Sequence, residues 1–465
     1  MLHYSRRMFL RSATGFAAAA PLLSTLAARN AFAADTSGYK ALVCMYFQGG
    51  LDSTDMVLPT DEASHRALAA LRPGLLSEHS VSRAPADLLS LNAKRGDRGF
   101  GLPANMGELA SLFNSGRAAM VANVGPLVEP VTRADIESLT ATLPDRLYSH
   151  NDQRSVWFSG ETEGARTGWG GRMIDITLRS DPSRAAFAAP ATNGSGVFLQ
   201  GELSREFPLP LGSPRTLDAL KPFQPFGTAS GSSRVRQLLR EHLRSAQPPA
   251  SGNILIGDVG AINRRGLDNL DTYIEATASA VTLATPFPNT SYGAQLKQIA
   301  QTISISGALG ASRQIFHASR TGFDSHAAQV GGLSDNVGEI SDAIGAFDAA
   351  MTEIGMSDSV TLFTASEFGR TLVENGSGTD HGWGGHHFVV GGAVEGGRII
   401  GEVPPYDLAD PLYTPDGRGR LIPTLSVDQL GATLGRWFGL NDTDLGEVFP
   451  NLGNFSTRDL GLFRT

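Results

Sequence analysis

Histidines and acidic residues of this chain fall together in a few short stretches. The sequence has ten histidines, and six of them lie in four stretches that also carry carboxylates and glycines: His150, His317, His326, His381, His386 and His387. Imidazole nitrogens and carboxylate oxygens are common ligands of divalent cations. The clustering therefore predicts a metal site. The candidate ions are zinc, manganese, calcium and magnesium, listed from the ion that best suits a histidine-rich site to the ion that suits it least.

Six side chains are the candidate metal ligands, and they lie in segments rich in glycine and polar residues. Asp324 and His326 are two positions apart in TGFDSH, so both can reach one ion. An isolated Asp-x-His pair is equally common in surface turns, so the prediction depends on the set as a whole. The predicted ligands are Asp52, Asp324, His326, Glu367, Asp380 and His381.

Apolar segments that indicate buried strands precede most of these side chains. The run Lys40 to Gln48 predicts a strand buried on both faces, and the apolar spacing between Asn336 and Met351 predicts a helix. Strands that alternate with helices indicate an α/β fold, with a mostly parallel central sheet and helices on both faces. Ligands of such sheets bind outside the carboxyl ends of the strands, so the predicted ligands should meet at one edge. The other predicted strands are Arg117 to Val124, Gln314 to Ala318 and Ser359 to Thr364.

Two further residues of the apolar segments are predicted to belong to the core. His317 lies inside the predicted strand Gln314 to Ala318, which favours a core histidine over a ligand. Cys44 is the single cysteine and lies in the first strand, so no intramolecular disulfide can form. Stability must therefore come from a large hydrophobic core.

The net charge and the distribution of apolar residues exclude two classes of partner. The formal net charge is −8 and only 18% of residues are charged, so the chain has no global attraction for nucleic acid. Beyond the N-terminal segment no apolar run reaches the roughly 20 residues that a membrane span needs. We expect neither nucleic-acid binding nor a stable membrane span in the mature chain, and the sequence carries no signal for an oligomeric state.

The first 33 residues resemble a twin-arginine export signal. Arg6 and Arg7 precede a weakly apolar stretch from Ala13 to Ala28, and Ala31-Phe32-Ala33 has the small-residue pattern of a cleavage site. An amphipathic first helix is the alternative. The prediction implies a periplasmic or secreted protein whose first partner is the twin-arginine export machinery.

Residues 34–465 exceed the size at which one core usually stops growing, so we expect either one large domain with insertions or two domains. Proline, serine and glycine clusters at Pro222 to Ser233 and Gln247 to Gly252 flank a basic amphipathic segment from Val235 to Leu243. These clusters favour a single large α/β domain with an inserted helical and loop region around residues 200–300.

A set of motifs spread over nearly the whole chain resembles the bacterial family named domain of unknown function 1501. That family is more distantly similar to the alkaline phosphatase and sulfatase superfamily, whose members place metal ligands at the ends of parallel strands and a nucleophile at a helix start. The motifs are SRRMFL, QGGLDSTD, SHNDQRSVWFSG, TGWGGR, GFDSHAAQ, TASEFGR, NGSGTDHGWGGHHFVVGG and FPNLGNFSTRDLGL.

The resemblance to the superfamily implies roles for particular residues. Phe368 stands after Glu367 where a histidine ligand is expected, and the adjacent Asp380 and His381 are the alternative source of that pair. The segment from His150 to Gly160 resembles the one that carries the nucleophile. The positions that match the superfamily's ligands are Asp52, the pair Asp324 and His326, Glu367 and His381.

These implications favour an exported metal-dependent hydrolase that acts on a small phosphate or sulfate ester. Ser149 or a water molecule would attack, and His150, at the nucleophile's place, would act as nucleophile or proton shuttle. Arg154 or Arg370 would hold the anionic substrate, unless each is an ordinary ion-pair partner.

Two other functions remain open from the sequence. The departures at His150 and Phe368 favour a non-catalytic relative, a metal-stabilised binding or assembly protein of the cell envelope. A structural envelope protein is the third possibility, because an exported glycine-rich chain with one cysteine can serve in a surface assembly.

Overall fold

The computed structural model describes residues 34–95, 98–179, 182–211, 237–238, 240–243 and 254–464. The predicted export signal and part of the predicted insertion, residues 212–236, 239 and 244–253, lie outside the described residues. The strands are β1 (Lys40–Phe47), β2 (Leu58–Pro59), β3 (Leu89–Arg95), β4 (Arg98–Leu102), β5 (Ala118–Gly125), β6 (Pro190–Ala191), β7 (Phe207–Pro208), β8 (Arg313–Arg320), β9 (Val360–Ser366), β10 (Arg370–Glu374), β11 (Thr379–His381), β12 (Gly385–Val390), β13 (Ile399–Gly401) and β14 (Leu425–Ser426).

Helices cover both faces of the main sheet, and short 3₁₀ turns lie between several of the elements. The α-helices are α1 (Glu62–Leu71), α2 (Pro73–Glu78), α3 (Gly107–Asn114), α4 (Arg133–Glu137), α5 (His150–Ser159), α6 (Trp169–Thr177), α7 (Ile254–Thr277), α8 (Ser291–Ser304), α9 (Gln329–Glu353), α10 (Val427–Phe438) and α11 (Asp442–Val448).

Within the described part of the chain the main sheet has nine strands. Their order is β13-β5-β12-β9-β1-β8-β6-β7, and β14 also pairs with β5. Every pairing is parallel except those of β12, which runs antiparallel to both β5 and β9. The predicted fold class, a mostly parallel sheet, is confirmed, and the four predicted strands correspond to β1, β5, β8 and β9.

The central strand β1 is buried on both faces, as its continuous apolar sequence predicts. Val43 and Met45 belong to one apolar cluster, which includes side chains of α3, α8 and α9. Leu42 and Cys44 belong to the opposite cluster, with side chains of α5, α6 and α10. The single cysteine is therefore a core residue, and burial raises the pKa of its thiol.

His317 of β8 lies in the second of these clusters, and the prediction of a core histidine is confirmed. It is 1% exposed, and the rings of Tyr46, Phe158 and Phe198 surround it. Burial lowers its pKa to about 3, because the interior disfavours the charged imidazolium.

Local signals also set the boundaries of two helices. The predicted helix from Asn336 to Met351 lies within α9, which begins earlier, at Gln329. The capping box of Ser426 opens α10, whose last turn ends at Gly439 in a left-handed conformation. None of the helices among the described residues combines the length and the apolar character needed to cross a bilayer.

Two small sheets flank the main one. The hairpin of β10 and β11 follows β9 directly, and its register places Arg370 opposite His381. The strands β2, β4 and β3 form an antiparallel sheet on their own. The hairpin matters for function because it carries candidate ligands back across the carboxyl end of β9.

Candidate metal centre

The carboxyl ends of three neighbouring strands and the start of one helix meet at one edge of the main sheet. The loop after β8 carries Asp324 and His326, Glu367 follows β9, and α5 begins at His150. Gly49, after β1, has a φ of 121°, and a Cβ there would lie 2.2 Å from the backbone nitrogen of Asp324. Glycine at this position therefore allows the loop after β8 to approach the end of β1.

Three imidazole rings turn their Nε2 atoms towards the carboxylate of Asp324. The distance from Nε2 to the nearer carboxylate oxygen is 3.4 Å for His150, 3.2 Å for His326 and 3.4 Å for His381. The Nε2 atoms of His326 and His381 are 2.8 Å apart. One potential ligand atom from each of His150, Asp324 and His381 lies within 4.8 Å of the other two.

The other ring nitrogen of each histidine, Nδ1, faces an oxygen that can accept a hydrogen bond from it. His150 Nδ1 is 3.0 Å from Glu367 Oε1, His326 Nδ1 is 3.3 Å from Asp380 Oδ1, and His381 Nδ1 is 2.7 Å from the carbonyl oxygen of Tyr148. Ionised carboxylates and carbonyls only accept hydrogen bonds, so we assign the proton of each neutral ring to Nδ1. Each Nε2 then presents a lone pair, which is the form of histidine that binds metal.

The donor set fits a divalent cation. If His326 and His381 are both neutral in this tautomer, two nitrogen lone pairs oppose each other at 2.8 Å and repel. A cation between the rings removes this repulsion, and the adjacent Asp324 carboxylate supplies negative charge. A mixed set of nitrogen and oxygen donors suits zinc or manganese. It suits magnesium and calcium less well, because those ions prefer sites made of oxygen ligands alone.

Asp324, although half exposed, stays ionised because Arg370 compensates for its partial burial. Burial alone would raise the pKa of Asp324, but the hydrogen bond and the charge of the Arg370 guanidinium bring it below its usual value. The two groups are 2.5 Å apart. The carboxylate therefore carries its negative charge at neutral pH.

The histidines of the cluster differ in their affinity for protons. The hydrogen bond to Glu367 raises the pKa of His150, despite the opposing effect of burial. Burial lowers the pKa of His381, which has a carbonyl and not a carboxylate beside Nδ1. His150 is thus suited to carry a proton under conditions in which His381 is a neutral ligand.

Glu367 and Asp380, both predicted as ligands, lie around the cluster as hydrogen-bond acceptors of the histidines. Glu367 is buried, and besides His150 it accepts hydrogen bonds from the Gly49 backbone at 2.8 Å and the Tyr46 hydroxyl at 3.0 Å. Asp380 also pairs with Arg418. Both carboxylates thus have partners that do not involve an ion.

Asp52 is the predicted ligand that the structure does not bring into the cluster. Its buried carboxylate accepts hydrogen bonds from Arg72 at 2.9 Å and from Gln329 at 2.7 Å. The turn after Gly50 brings Asp52 to these partners, which lie on α1–α2 and at the start of α9. Asp52 is therefore a member of a buried ion pair.

The four predicted catalytic residues also separate. His150 lies in the cluster, and the exposed Arg154 follows it by one turn of α5 with no ion-pair partner among the described residues. The Ser149 hydroxyl donates a hydrogen bond to the Asp152 carboxylate, with a distance of 2.8 Å between the oxygens.

Arg370 does not face solvent, which contradicts a direct role in holding substrate. Its guanidinium is completely buried and donates to the carbonyls of Gly49, Gly50 and Thr379, and to Asp324. These acceptors lie in the loops after β1 and β8 and at the start of β11. The alternative prediction for Arg370, an ion-pair partner, is the one that the structure favours.

Several residues that build the site were not identified from the sequence. Tyr148 contributes only its carbonyl, which a left-handed backbone with a φ of 73° turns towards His381. Nothing in the residue type signals this. Gln329 was visible as the last residue of the GFDSHAAQ motif, but its partners became clear only in the folded chain.

Comparisons with known proteins agree with part of this description. A family model matches residues 258–448, a range that includes the loop after β8, Glu367 and the hairpin of β10 and β11. The match is to Protein of unknown function (DUF1501). The family resemblance predicted from the motifs is thus confirmed over this range, while His150 lies outside it. No curated protein matches the sequence.

Three solved structures share a distant similarity with the chain. The PsFucS1 sulfatase from Pseudoalteromonas sp. is 10% identical, with a TM-score of 0.37 and coverage of 95% of this chain and 75% of that chain. The lipoteichoic acid synthase LtaP from Listeria monocytogenes is 7% identical, with a TM-score of 0.32 and coverage of 87% and 73%. Ps i-CgsB in complex with k-i-k-neocarrahexaose is 8% identical, with a TM-score of 0.35 and coverage of 90% and 77%. Similarity at this level carries no argument about chemistry, which must come from the residues themselves.

Proposed function

We propose that this protein is an exported, metal-dependent hydrolase of phosphate or sulfate esters. The observation that carries the proposal is the convergence of the His326 and His381 Nε2 atoms, 2.8 Å apart, beside the Asp324 carboxylate. A divalent cation bound there would supply a Lewis acid that polarises the ester and lowers the pKa of an attacking water or hydroxyl.

Asp324, His326 and His381 are the residues that would hold the ion. Asp380 accepts a hydrogen bond from Nδ1 of His326, and the Tyr148 carbonyl accepts one from Nδ1 of His381. These hydrogen bonds fix the ring orientations and increase the basicity of each Nε2. These outer contacts come from β11 and from the turn before α5. The geometry of the site therefore depends on chain segments far apart in sequence.

His150 and Glu367 would move the proton that ester hydrolysis requires. Glu367 raises the pKa of His150, and the ring is partly exposed at the edge of the cluster. A protonated imidazole at this position can donate to the leaving oxygen, while Glu367 stabilises its positive charge. His150 is also close enough to Asp324 to act as a fourth ligand, and the experiment below separates the two roles.

Arg154 and the start of α5 favour an anionic substrate. Arg154 is exposed one turn after His150, and no side chain caps the first N–H groups of α5. A free guanidinium and an uncapped helix start both attract a phosphate or sulfate group. The hydroxyl of Ser149 already donates to Asp152, so water is the nucleophile that the geometry favours, and Ser149 is the alternative.

The test combines metal analysis with ester turnover. The protein is freed of metal with a chelator, loaded with Zn²⁺ or Mn²⁺, and assayed with p-nitrophenyl phosphate and p-nitrophenyl sulfate. Asp324→Ala should lose both bound metal and turnover. His150→Ala should retain metal and lose turnover if His150 moves the proton, and lose both if it is a ligand. Asp335→Ala, on the exposed surface of α9, is the matched control.

Two results would overturn the proposal. One is wild-type protein that takes up neither metal, and the other is ester turnover that survives both Asp324→Ala and His150→Ala. Ser149→Ala is assayed in parallel, and loss of turnover with metal retained would identify the serine as the nucleophile.

A specific observation also supports a second function, a metal-stabilised binding or assembly protein without catalysis. Two of the four predicted catalytic residues are engaged elsewhere: Ser149 with Asp152, and Arg370 with loop carbonyls. Stoichiometric metal that raises the unfolding temperature, with no turnover of any ester in the panel, would favour this function.

A further inference from the structure

A single buried amide connects the two loops that carry the proposed metal ligands. Gln329, the first residue of α9, is 1% exposed. Its Oε1 atom lies 3.0 Å from the Ser325 hydroxyl and 2.8 Å from the Thr379 hydroxyl. Ser325 stands between Asp324 and His326, and Thr379 is next to Asp380. One carbonyl oxygen thus contacts both ligand loops.

The orientation of this amide is set by Asp52. Gln329 Nε2 is 2.7 Å from Asp52 Oδ2, and an ionised carboxylate can only accept a hydrogen bond. Nε2 must therefore face Asp52, which leaves Oε1 to accept from the two hydroxyls. Arg72 pairs with the same Asp52 oxygen at 2.9 Å, and its guanidinium balances the charge of the carboxylate in the interior.

Arg72 also extends the network to the hairpin. Its guanidinium donates to the carbonyls of Thr371 and Leu372 in β10, at 2.9 and 3.0 Å. The Thr371 hydroxyl in turn accepts a hydrogen bond from the backbone of Asp380 at 3.0 Å. The ion pair of Arg72 and Asp52 is therefore joined to β11 through β10 as well as through Gln329.

The backbones of the two ligand loops are in direct contact beside this network. The Thr379 N–H donates to the Ser325 carbonyl at 3.0 Å. A Cβ on Gly378 would lie 2.2 Å from the same oxygen, so only glycine fits there. Close packing, the Gln329 amide and the Arg370 guanidinium, which donates to Asp324 and to the Thr379 carbonyl, thus all join the two loops.

We propose that Gln329, oriented by the buried pair of Asp52 and Arg72, is a positioning residue that sets the spacing between Asp324 and His326 on one loop and His381 on the other. The inference rests on the proposed metal site. Loss of the amide would deprive the Ser325 and Thr379 hydroxyls of their acceptor and leave Asp52 with Arg72 alone, and the loops would shift relative to each other. Outer contacts of this kind typically change metal affinity by about 10- to 100-fold.

The experiment compares Gln329→Met with Gln298→Met. Methionine keeps the length of the side chain and removes its hydrogen bonds. Gln298 is a buried glutamine of α8 that donates to Tyr273, in the core and not at the site, so it controls for the general cost of the change. Metal-free protein is titrated with Co²⁺, and both the dissociation constant and the visible absorption bands are recorded, because the bands report the ligand geometry.

Gln329→Met should bind Co²⁺ at least about tenfold more weakly than wild type, with shifted absorption bands, while Gln298→Met stays within about twofold. Wild-type affinity and an unchanged spectrum in Gln329→Met would overturn the inference. Wild-type protein that binds no Co²⁺ would instead overturn the proposed function, and the inference with it.

A second pair of variants keeps the test decisive if Gln329→Met does not fold. Ser325→Ala and Thr379→Val each remove one hydroxyl and leave the contact of Gln329 with Asp52 in place. The double variant should reproduce the weaker Co²⁺ binding and the altered bands. Wild-type binding in a folded double variant would show that the two loops do not need the amide.

Discussion

His326 and His381 face each other through their Nε2 atoms at 2.8 Å, although 55 positions of the chain separate them. One ring comes from the loop after β8 and the other from the end of β11. Their Nδ1 atoms point away from each other, towards Asp380 and towards the Tyr148 carbonyl. The hydrogen bonds at Nδ1 thus orient both rings, and both Nε2 atoms lie beside the Asp324 carboxylate.

The raised pKa of His150 should depend on Glu367. In metal-free Glu367→Gln the carboxylate charge is lost, so the midpoint of the His150 titration should move to lower pH. Heteronuclear NMR of the imidazole measures this midpoint, with Asp380→Asn as control because that carboxylate contacts His326. If the ester hydrolase is active, the alkaline limb of kcat/KM should also move to lower pH. An unchanged His150 midpoint would contradict the assignment of Glu367 as its partner.

Replacing Tyr148 with glycine should give a more stable protein than replacing it with alanine. Its φ of 73° lies in the left-handed region, where a Cβ costs about 1–2 kcal/mol and glycine has no such cost. Both variants lose the stacking of the ring on Arg420 but keep the carbonyl that holds His381. The free energy of unfolding, measured with denaturant, should therefore be about 1 kcal/mol higher for Tyr148→Gly than for Tyr148→Ala. The opposite order would show that the backbone relaxes when the ring is removed.

Gly49→Ala should be strongly destabilising, because the new Cβ would lie 2.2 Å from the Asp324 backbone at a φ of 121°. We expect a loss of roughly 3 kcal/mol or more in the free energy of unfolding. Gly38→Ala is the matched control, since Gly38 also has a positive φ but no atom within 4 Å of the place that a Cβ would take. Its loss should be about 1 kcal/mol. Equal losses in the two variants would mean that the close approach of the loops does not matter.

Acid should destabilise the protein partly through His317. Burial lowers its pKa from 6.5 to about 3, so below pH 6.5 the unfolded chain binds a proton that the folded chain excludes. This contribution to stability is complete above pH 6.5 and decreases as the pH falls, by about 2 kcal/mol at pH 5. Urea unfolding of wild type and His317→Phe at pH 8 and pH 5 measures it. The variant should lose less stability between the two pH values, and an equal loss would contradict the prediction.

Export should require the arginine pair at positions 6 and 7. Arg6→Lys combined with Arg7→Lys should leave the protein in the cytoplasm, because the twin-arginine machinery reads that pair. Arg11→Lys, four positions further along the chain, is the control and should be exported like wild type. Cell fractionation and immunoblotting measure the distribution. Equal export of all three proteins would rule out this route.

Local sequence patterns were sufficient to predict the main strands around the site, but not the hairpin of β10 and β11 or the helix α5. Continuous apolar runs predicted β1, β5, β8 and β9, since a strand buried on both faces needs apolar residues at successive positions. Their alternation with helices predicted the parallel sheet. The carboxyl ends of such strands share one edge, which predicted that Asp324 and His326 would lie near Glu367, although it also predicted Asp52 there.

Only the tertiary structure decided what each polar side chain does at that edge. Asp52 looked like a ligand but pairs with Arg72, Arg370 looked like a substrate contact but binds loop carbonyls, and Glu367 holds His150. Residue type and spacing predict which loop carries a side chain, but not which group the side chain contacts. Its role depends on which partner lies within about 3 Å, and those partners, such as the Tyr148 carbonyl and the Gln329 amide, come from distant segments whose approach is set by packing of the whole fold.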